Sequence, residues 1–333
     1  MLKLPELPVR SSIRSVGVLC SGGDAPGMNA AVRAVVRYAI THGLKVHGIM
    51  KGYSGLLEGQ FREMDLSSVA NIIQRGGTIL KTDRCEAFFR KGARREAANL
   101  LRRNGIDALV VIGGDGSYAG AHKLGIENRY PVIGVPGTID NDVPGTDDTI
   151  GFDTAVNTGI EAIDRIRDTA SSHDRLFIVE VMGRSAGFIA IQVGIGGGAE
   201  TIVVPGVGEP VESIAKTIQR GVKRGKTSSI IVVAEGAECG GATGLAAHLK
   251  KRGYSPRVCI LGHTQRGGRP TAHDRFLASG LGAAAVAYLI TGYSDAMVGI
   301  QAGNVKLVPF RDVIGYKKQL PKEYLRLLHI LST

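Results

Sequence analysis

The sequence predicts an α/β protein with mostly parallel sheets, divided into two lobes. Three observations carry that prediction. Short apolar runs alternate with helical periodicity from Val16 to Gln301, the pattern of repeated β-α units. Runs such as Asp107–Ile112 are continuously apolar, as expected for strands buried on both faces. There are also more strands than one ordinary open sheet needs, and 333 residues suffice for two α/β domains.

Val16–Cys20 reads as the first strand. A glycine turn follows, and then Met28, Ala31, Val32, Val35, Val36, Ala39 and Ile40 recur at i, i+3, i+4 and i+7 on one helical face. Pro26 and Gly27 mark the turn where that helix starts. Leu44–Met50 is a second strand, and Gly92–Asn104 a basic helix ended by Gly105. Strands follow at Asp107–Ile112 and Pro131–Val135, with a long helix from about Thr154 to Ala170. Further strands are Leu176–Val181, Thr201–Val204, Ser229–Ala234 and Arg257–Leu261, separated by helical stretches. A late helix, Ala272–Ile290, leads to a strand at Ala296–Gln301. No linker interrupts the chain, and the lobe boundary is placed near residue 152.

Composition narrows the class. The chain is 44% hydrophobic, which supports a sizeable core and excludes global disorder. No apolar stretch approaches the ~18 residues of a membrane span. The segment MLKLPELPVRSSIRS lacks the apolar centre of a signal peptide, so a soluble intracellular protein is expected. Net charge is +11, but the Lys and Arg are dispersed and no nucleic-acid motif accompanies them. Such a charge equally suits phosphorylated ligands. Cys20, Cys85, Cys239 and Cys259 show no C-x-x-C spacing, which argues against zinc; Cys20 and Cys259 are expected as buried thiols.

Three motifs carry the chemistry: Ser21-Gly22-Gly23-Asp24-Ala25-Pro26-Gly27, Gly113-Gly114-Asp115-Gly116-Ser117 and Pro136-Gly137-Thr138-Ile139-Asp140-Asn141-Asp142. Each follows a strand, where ligand sites of parallel sheets lie. The first two offer bare backbone N–H groups at a helix start, the chemistry of a phosphate cradle, although unliganded glycine turns are also common there. Asp115 suits Mg2+. Asp140 and Asp142 at i and i+2 share one side of an extended segment; one can be a general base and the other a metal ligand. Glycine cradles with carboxylates are what Mg-nucleotide phosphoryl transfer requires. Gly262-His263-Thr264-Gln265-Arg266-Gly267-Gly268 again follows a strand, and Arg175, Arg184, Arg257 and Arg266 lie at or near strand ends. An arginine fork binds two phosphate oxygens, though a lone one is more often a surface ion pair. Glu235 ends another strand. Gly221–Thr227 mimics a P-loop but has three residues between its glycines instead of four.

In motif order and spacing, with Met182-Gly183-Arg184 added, the chain resembles the bacterial type of ATP-dependent 6-phosphofructokinase from about Val16 to Gln301. The resemblance implies two Rossmann-like three-layer αβα lobes. The larger, nucleotide-binding lobe would be 1–152 plus 265–314, the smaller, sugar-phosphate lobe 153–264 plus 315–333. It implies phosphoryl transfer from MgATP to the 1-hydroxyl of fructose 6-phosphate, a glycolytic step, in a cytoplasmic homotetramer. Asp140 would be the base, Asp115 and Asp142 the Mg2+ ligands, and Thr138 a contact of the moving phosphoryl group. Gly23 would donate to the γ-phosphate and Arg84 bridge the nucleotide phosphates. Tyr53, Cys85, Gly116, Ser117 and Gly120 would touch the nucleotide. Met182, Gly183, Arg184, Glu235 and Arg266 would line the sugar pocket and His263 bind the 6-phosphate, with Arg175 and Arg257 reaching it from a neighbouring subunit.

The donor is the sharpest choice within that resemblance. Relatives using pyrophosphate carry Asp where Gly116 stands and Lys where Gly137 stands. A carboxylate at 116 would crowd and repel the α-phosphate, so ATP is favoured. An allosteric pocket for ADP and phosphoenolpyruvate is matched by Arg33, Arg37, Arg167, Glu200, Arg224 and Lys226. It is broken by Leu66, where arginine is usual, and Thr227, where lysine is common. An arginine expected after Arg84 is Phe89, with Arg90 adjacent. The alternatives are a pyrophosphate-dependent enzyme, an NAD or lipid kinase with a similar glycine loop, and a non-catalytic regulatory relative. The last would be expected to lose Asp140, Asp115 or Arg84, all of which are present.

Overall fold

The computed structural model describes residues 4–6, 12–171, 176–207, 210–226 and 228–331. Arg175 and Thr227 lie outside the described residues. The chain forms two compact units: Met1–Thr138, Val143–Asp153 and Arg266–Lys317 make the first, and Ile139–Asp142, Thr154–Gln265 and Lys318–Thr333 the second.

In chain order the first unit contains β1 (Ser15–Cys20), α1 (Met28–Thr41), β2 (Lys45–Ile49), α2 (Gly52–Leu57) and β3 (Phe61–Met64). It continues with α3 (Lys91–Arg103), β4 (Ala108–Gly113), α4 (Asp115–Asn128) and β5 (Val132–Pro136). The second unit is built on α5 (Phe152–Ser171), β6 (Leu176–Val181), α6 (Phe188–Gly196), β7 (Thr201–Val203), α7 (Val211–Lys223), β8 (Ser229–Ala234), α8 (Gly241–Lys250) and β9 (Arg257–Ile260). The chain then returns to the first unit for α9 (Ala272–Ile290), β10 (Ala296–Gln301) and β11 (Asn304–Pro309), and ends in the second with α10 (Lys322–Leu331).

The first unit's sheet has the order β11-β10-β5-β4-β1-β2-β3 and the second unit's β7-β8-β6-β9. All neighbours are parallel except the edge pairs β2–β3 and β10–β11. The predicted α/β architecture is therefore present, with antiparallel edges that the apolar pattern did not announce. Phe61-Arg62-Glu63-Met64 is half charged and Asn304–Pro309 is exposed at alternate positions, so neither reads as a buried strand. By contrast β1, β4, β5 and β8 are buried at every position, as their unbroken apolar runs require.

The predicted helical stripe is the buried face of α1: Met28, Ala31, Val32, Val35, Val36 and Ala39. It packs against α9. That approach is close, since a Cβ on Gly282 of α9 would lie 2.7 Å from the Ala31 carbonyl oxygen. Cys20 is fully buried, and burial pushes its thiol up to about 12. Cys259 corrects the expectation of a buried thiol. It is half-buried because β9 is an edge strand, with Val258 40% and Ile260 55% exposed.

One buried ion pair ties α3 to α4. Arg94, 5% exposed, holds both Glu127 oxygens with Nε (2.8 Å) and Nη2 (2.6 Å), a fork-on-fork arrangement. Its Nη1 donates to the carbonyls of Phe88 (2.8 Å) and Phe89 (2.6 Å), closing the short 3-10 turn Glu86–Phe89 onto the helices. The Arg94 hydrogen bond holds the Glu127 carboxyl below its ordinary value of 4.5. Glu127→Ala would strand the guanidinium, and a loss of about 3 kcal/mol is expected in urea denaturation at neutral pH. A depressed carboxylate contributes stability above its unfolded pKa and loses it as pH falls through the folded one. The gap between wild type and variant should therefore narrow as pH is lowered from about 5.

Candidate active site

Strand register builds the first half of the site. β1 and β2 flank one another, and β4 lies on the other side of β1 with Cys20 opposite Ile112; β5 pairs with β4, setting Pro136 opposite Gly113. The three glycine motifs thus leave three adjacent strands at one level. Backbone bonds stitch their starts together: Ser21 N–H donates to the Ile112 carbonyl (2.9 Å) and Gly137 N–H to that of Gly113 (3.0 Å). Ser117 Oγ donates to the Ser21 carbonyl (3.0 Å). Thr138, half-buried, comes beside the second motif, and a Cβ on Gly114 would lie 3.8 Å from its own Cβ.

Gly27, at φ +108°, starts α1, whose first turn is buried, while Gly114 starts α4, whose first residues Asp115 and Gly116 are exposed at this level. Gly116 is exposed, and a Cβ there would have no neighbour within 4 Å. Gly137 is confined: its Cβ would meet Ile112 Cγ2 at 2.9 Å and Met28 Cε at 3.0 Å. Asp115 is exposed at the first position of α4 and accepts from Gly315 N–H at 3.3 Å. Among the described residues no cluster of three or more His, Cys, Asp or Glu could hold a metal. An ion held by one or two carboxylates with substrate phosphates and water needs no such cluster, and Asp115 fits that chemistry.

A flat apolar wall adjoins these loops. Tyr53 stacks on Phe88 at 4.0 Å, and its buried hydroxyl donates to the Ser117 carbonyl (2.6 Å). Burial raises the Tyr53 pKa, keeping that proton in place. Gly120 faces the wall, for a Cβ there would touch the Tyr53 ring at 3.0 Å and Phe88 at 3.2 Å. Cys85 packs on the same cluster. Arg84 is exposed, on a segment whose Asp83 carbonyl accepts from Gly22 N–H (3.4 Å). Phe89 is 78% exposed, and Arg90 beside it is exposed too. Arg266 lies on the first glycine loop, donating from Nη1 to the Asp24 carbonyl at 3.0 Å, so close that a Cβ on Gly23 would meet it at 2.7 Å.

The second unit gathers the other residues. Asp140 is 2% exposed and pairs with Arg184, whose Nε lies 3.4 Å from Oδ2. Arg184 N–H donates to Glu235 Oε1 (2.8 Å). The turn that allows this has Gly183 at φ +125° and Arg184 at φ +48°. It also needs Gly236, since a Cβ there would lie 2.2 Å from the Arg184 carbonyl oxygen. The i, i+2 argument for Asp140 and Asp142 fails: Asn141 sits at φ +50°, which breaks the extended run. Asp142 is half-buried. Lys318, which no motif flagged, donates to Asn141 Oδ1 (3.2 Å) and lies 5.1 Å from the Phe188 ring centre.

Met182 and Gly183 follow β6, Glu235 follows β8, and His263 follows β9, all at the C-terminal side of that sheet. Arg257 is at the other side. It opens β9 opposite Phe177, five residues before Met182, a distance of about 16 Å along the strand. The chain therefore does not bring Arg257 to its own Met182–Arg184 turn.

Farther off in the second unit, Glu200, Arg224 and Lys226 line a cavity of about 350 Å³ with Thr217 and Arg220. Lys226 Nζ pairs with Glu200 Oε1 at 2.5 Å. Arg167 is turned to the Gly197 and Gly198 carbonyls (2.6 and 2.9 Å). Arg33, half-buried, and Arg37, exposed, sit on α1 of the first unit, and Leu66 is exposed.

A family profile described as phosphofructokinase matches residues 15–289. The ATP-dependent 6-phosphofructokinase 1 of Thermus thermophilus is 54% identical over 323 residues, covering 96% of this chain and all of that one. The ATP-dependent 6-phosphofructokinase of Clostridioides difficile is 54% identical over 321 residues with the same coverage. Among solved structures, phosphofructokinase from Saccharomyces cerevisiae superposes with a TM-score of 0.83 at 35% identity over 95% of this chain, which spans about half (46%) of the yeast chain. A pyrophosphate-dependent phosphofructokinase from Marinobacter aquaeolei gives 0.82 at 25% identity, covering 95% and 91%.

The two glycines of the nucleotide-side loops should separate in a thermal melt. Gly116→Ala enters open space and is expected to leave stability within about 0.5 kcal/mol of wild type. Gly137→Ala must displace Ile112 or Met28 and is expected to lose about 1–3 kcal/mol.

Proposed function

The chain belongs to the phosphofructokinase family, and we propose that it works as an ATP-dependent 6-phosphofructokinase. It transfers the γ-phosphoryl group of ATP to the 1-hydroxyl of fructose 6-phosphate, giving fructose 1,6-bisphosphate and ADP. One observation carries this reading most: three glycine motifs begin at one level, on the ends of adjacent parallel strands, with the exposed N-terminus of α4 among them, where a phosphate chain would bind. The first unit holds the donor. Gly23 and Gly114–Ser117 supply backbone donors, Tyr53, Cys85 and Gly120 form the wall for the base, and Arg84 lies free to reach the phosphates. Open space at Gly116 supports ATP, because a side chain there would project into the room needed by the nucleotide.

The second unit holds the acceptor. Asp140 is the base that takes the hydroxyl proton, and Arg184 Nε, 3.4 Å from its Oδ2, orients it. Met182, Gly183, Glu235 and His263 bind the sugar phosphate. Asp115 and Asp142 are the carboxylates that would hold Mg2+, which when bound neutralises charge on the donor phosphates. Thr138 contacts the moving group. Arg266, placed on Gly23 and Asp24, acts at the first glycine loop, where it can answer charge on either substrate.

The enzyme works as a homotetramer with shared sites. Two features support that reading: Arg257 stands about 16 Å of strand away from its own Met182, and the edge strand that carries it exposes Val258 and Ile260. The Glu200–Arg224–Lys226 cavity is suited to an anionic effector, with Arg220 as a further cation. Among the described residues no helix is long and apolar enough to cross a membrane, which supports a cytoplasmic enzyme.

Initial rates with fructose 6-phosphate and Mg2+, comparing ATP with pyrophosphate, test the function: turnover with ATP is expected, and turnover with pyrophosphate alone would overturn the donor assignment. Asp140→Asn should lower kcat by roughly 10²–10⁴-fold while ATP binding, followed by calorimetry, is unchanged. A normal rate would remove Asp140 as the base.

A further inference from the structure

Gln265 lies inside the fourth glycine-rich motif, yet it is 0% exposed and reaches no substrate. Both ends of its amide are used on main-chain atoms. Oε1 accepts from Met182 N–H at 2.7 Å, and Nε2 donates to the Ala155 carbonyl at 3.1 Å. Gly159, one turn along α5, lies beside the amide, and a Cβ there would be in ordinary contact with Nε2 at 3.4 Å.

The position of the first bond matters. The pairing of β6 ends at Val181, and Met182 is the first residue beyond it. Gly183 and Arg184 then turn through two positive φ angles to bring Arg184 onto Asp140. A non-glycine residue in that conformation persists only where its surroundings over-determine it. Glu235 pins the exit of the turn at Arg184 N–H, and Gln265 pins its entry at Met182 N–H. Without Gln265 the entry would carry a buried, unanswered donor and be free to shift.

We propose that Gln265 is a positioning residue for the acceptor half of the site, holding the Met182–Arg184 turn so that Arg184 meets the base Asp140. This role rests on the phosphofructokinase reading. It predicts damage confined to use of the phosphorylated sugar, since every contact of the amide lies in the second unit.

Two variants test it. Gln265→Leu keeps the bulk and removes both hydrogen bonds. Its kcat/KM for fructose 6-phosphate should fall on the order of 100-fold with the KM for ATP unchanged. Gln265→Glu keeps the acceptor, and its buried carboxyl, when protonated, also donates to the Ala155 carbonyl as the amide does. A fully buried carboxyl can titrate as high as about pH 8–9. This variant should therefore match wild type at about pH 6 and lose fructose 6-phosphate efficiency as pH rises, an alkaline limb beyond any in wild type.

Charged side chains on the elements it joins are His263 and Arg266 on its own turn, Glu180 and Arg184 around the end of β6, and on α5 Asp153 and Glu161, with Asp164, Arg165, Arg167 and Asp168 farther along. Among the described residues none of them hydrogen-bonds the amide. Thermal melts run alongside confirm that each variant is folded at the assay temperature; if Gln265→Leu does not fold, the pH profile of Gln265→Glu decides. Equal rises in both KM values, wild-type constants in Gln265→Leu, or a Gln265→Glu profile parallel to wild type would overturn the proposal. Wild type inactive on fructose 6-phosphate would instead overturn the reading beneath it.

Discussion

The site depends first on the register of three parallel strands. Because Cys20 stands opposite Ile112 and Gly113 opposite Pro136, loops that are distant in sequence begin side by side. Parallel pairing alone permits this, since all C-terminal ends then face one way and the helices that follow present their N-termini together. The cost is borne by glycine: a side chain would meet the Ser21 carbonyl and Ser117 at Gly113, and the Ile112 and Met28 side chains at Gly137. A shift of one residue between β1 and β4 would move the glycine loops apart and turn every buried side chain of the strand to its other face.

The acceptor side is held in another way. Its turn is strained and is fixed by polar contacts to Glu235, Gln265 and Asp140 rather than by a sheet ladder. Directional bonds suit this task because they set where a guanidinium points, which packing of an apolar surface does not. The donor loops, by comparison, are exact through backbone pairing and need few side chains of their own.

Most of the fold was legible because buried parallel strands cannot hide: Val16–Cys20, Asp107–Ile112 after its first residue and Ser229–Ala234 after its first residue are apolar, and the α1 stripe has one period. Where a strand is exposed on one side, as at β3 and β11, composition carries no comparable mark. The site was legible in its glycine loops, where close approach excludes a side chain, as at Gly113 and Gly137. It was not legible where a common residue acts through a distant partner. Arg94 looks like one more cation on a basic helix until Glu127, 33 residues on, is found against it. Lys318 has no local signature at all. The i, i+2 argument at Asp140 failed because it assumed an extended segment, whereas Asn141, of a residue type that tolerates the left-handed region, takes φ +50°.

The two units are each discontinuous in sequence. The chain leaves the first at Thr138, returns at Val143, leaves again after Asp153, returns at Arg266 and departs finally after Lys317. Neither unit can thus be cut out as a single fragment. The first is incomplete until β10 has paired with β5 across about half the chain, which places its closure late in synthesis and makes folding a matter of long-range search. A ribosome-bound chain stopped before residue 296 would leave β5 as an unpaired edge, so exposure to edge-to-edge association during translation is written into the topology rather than into any one residue.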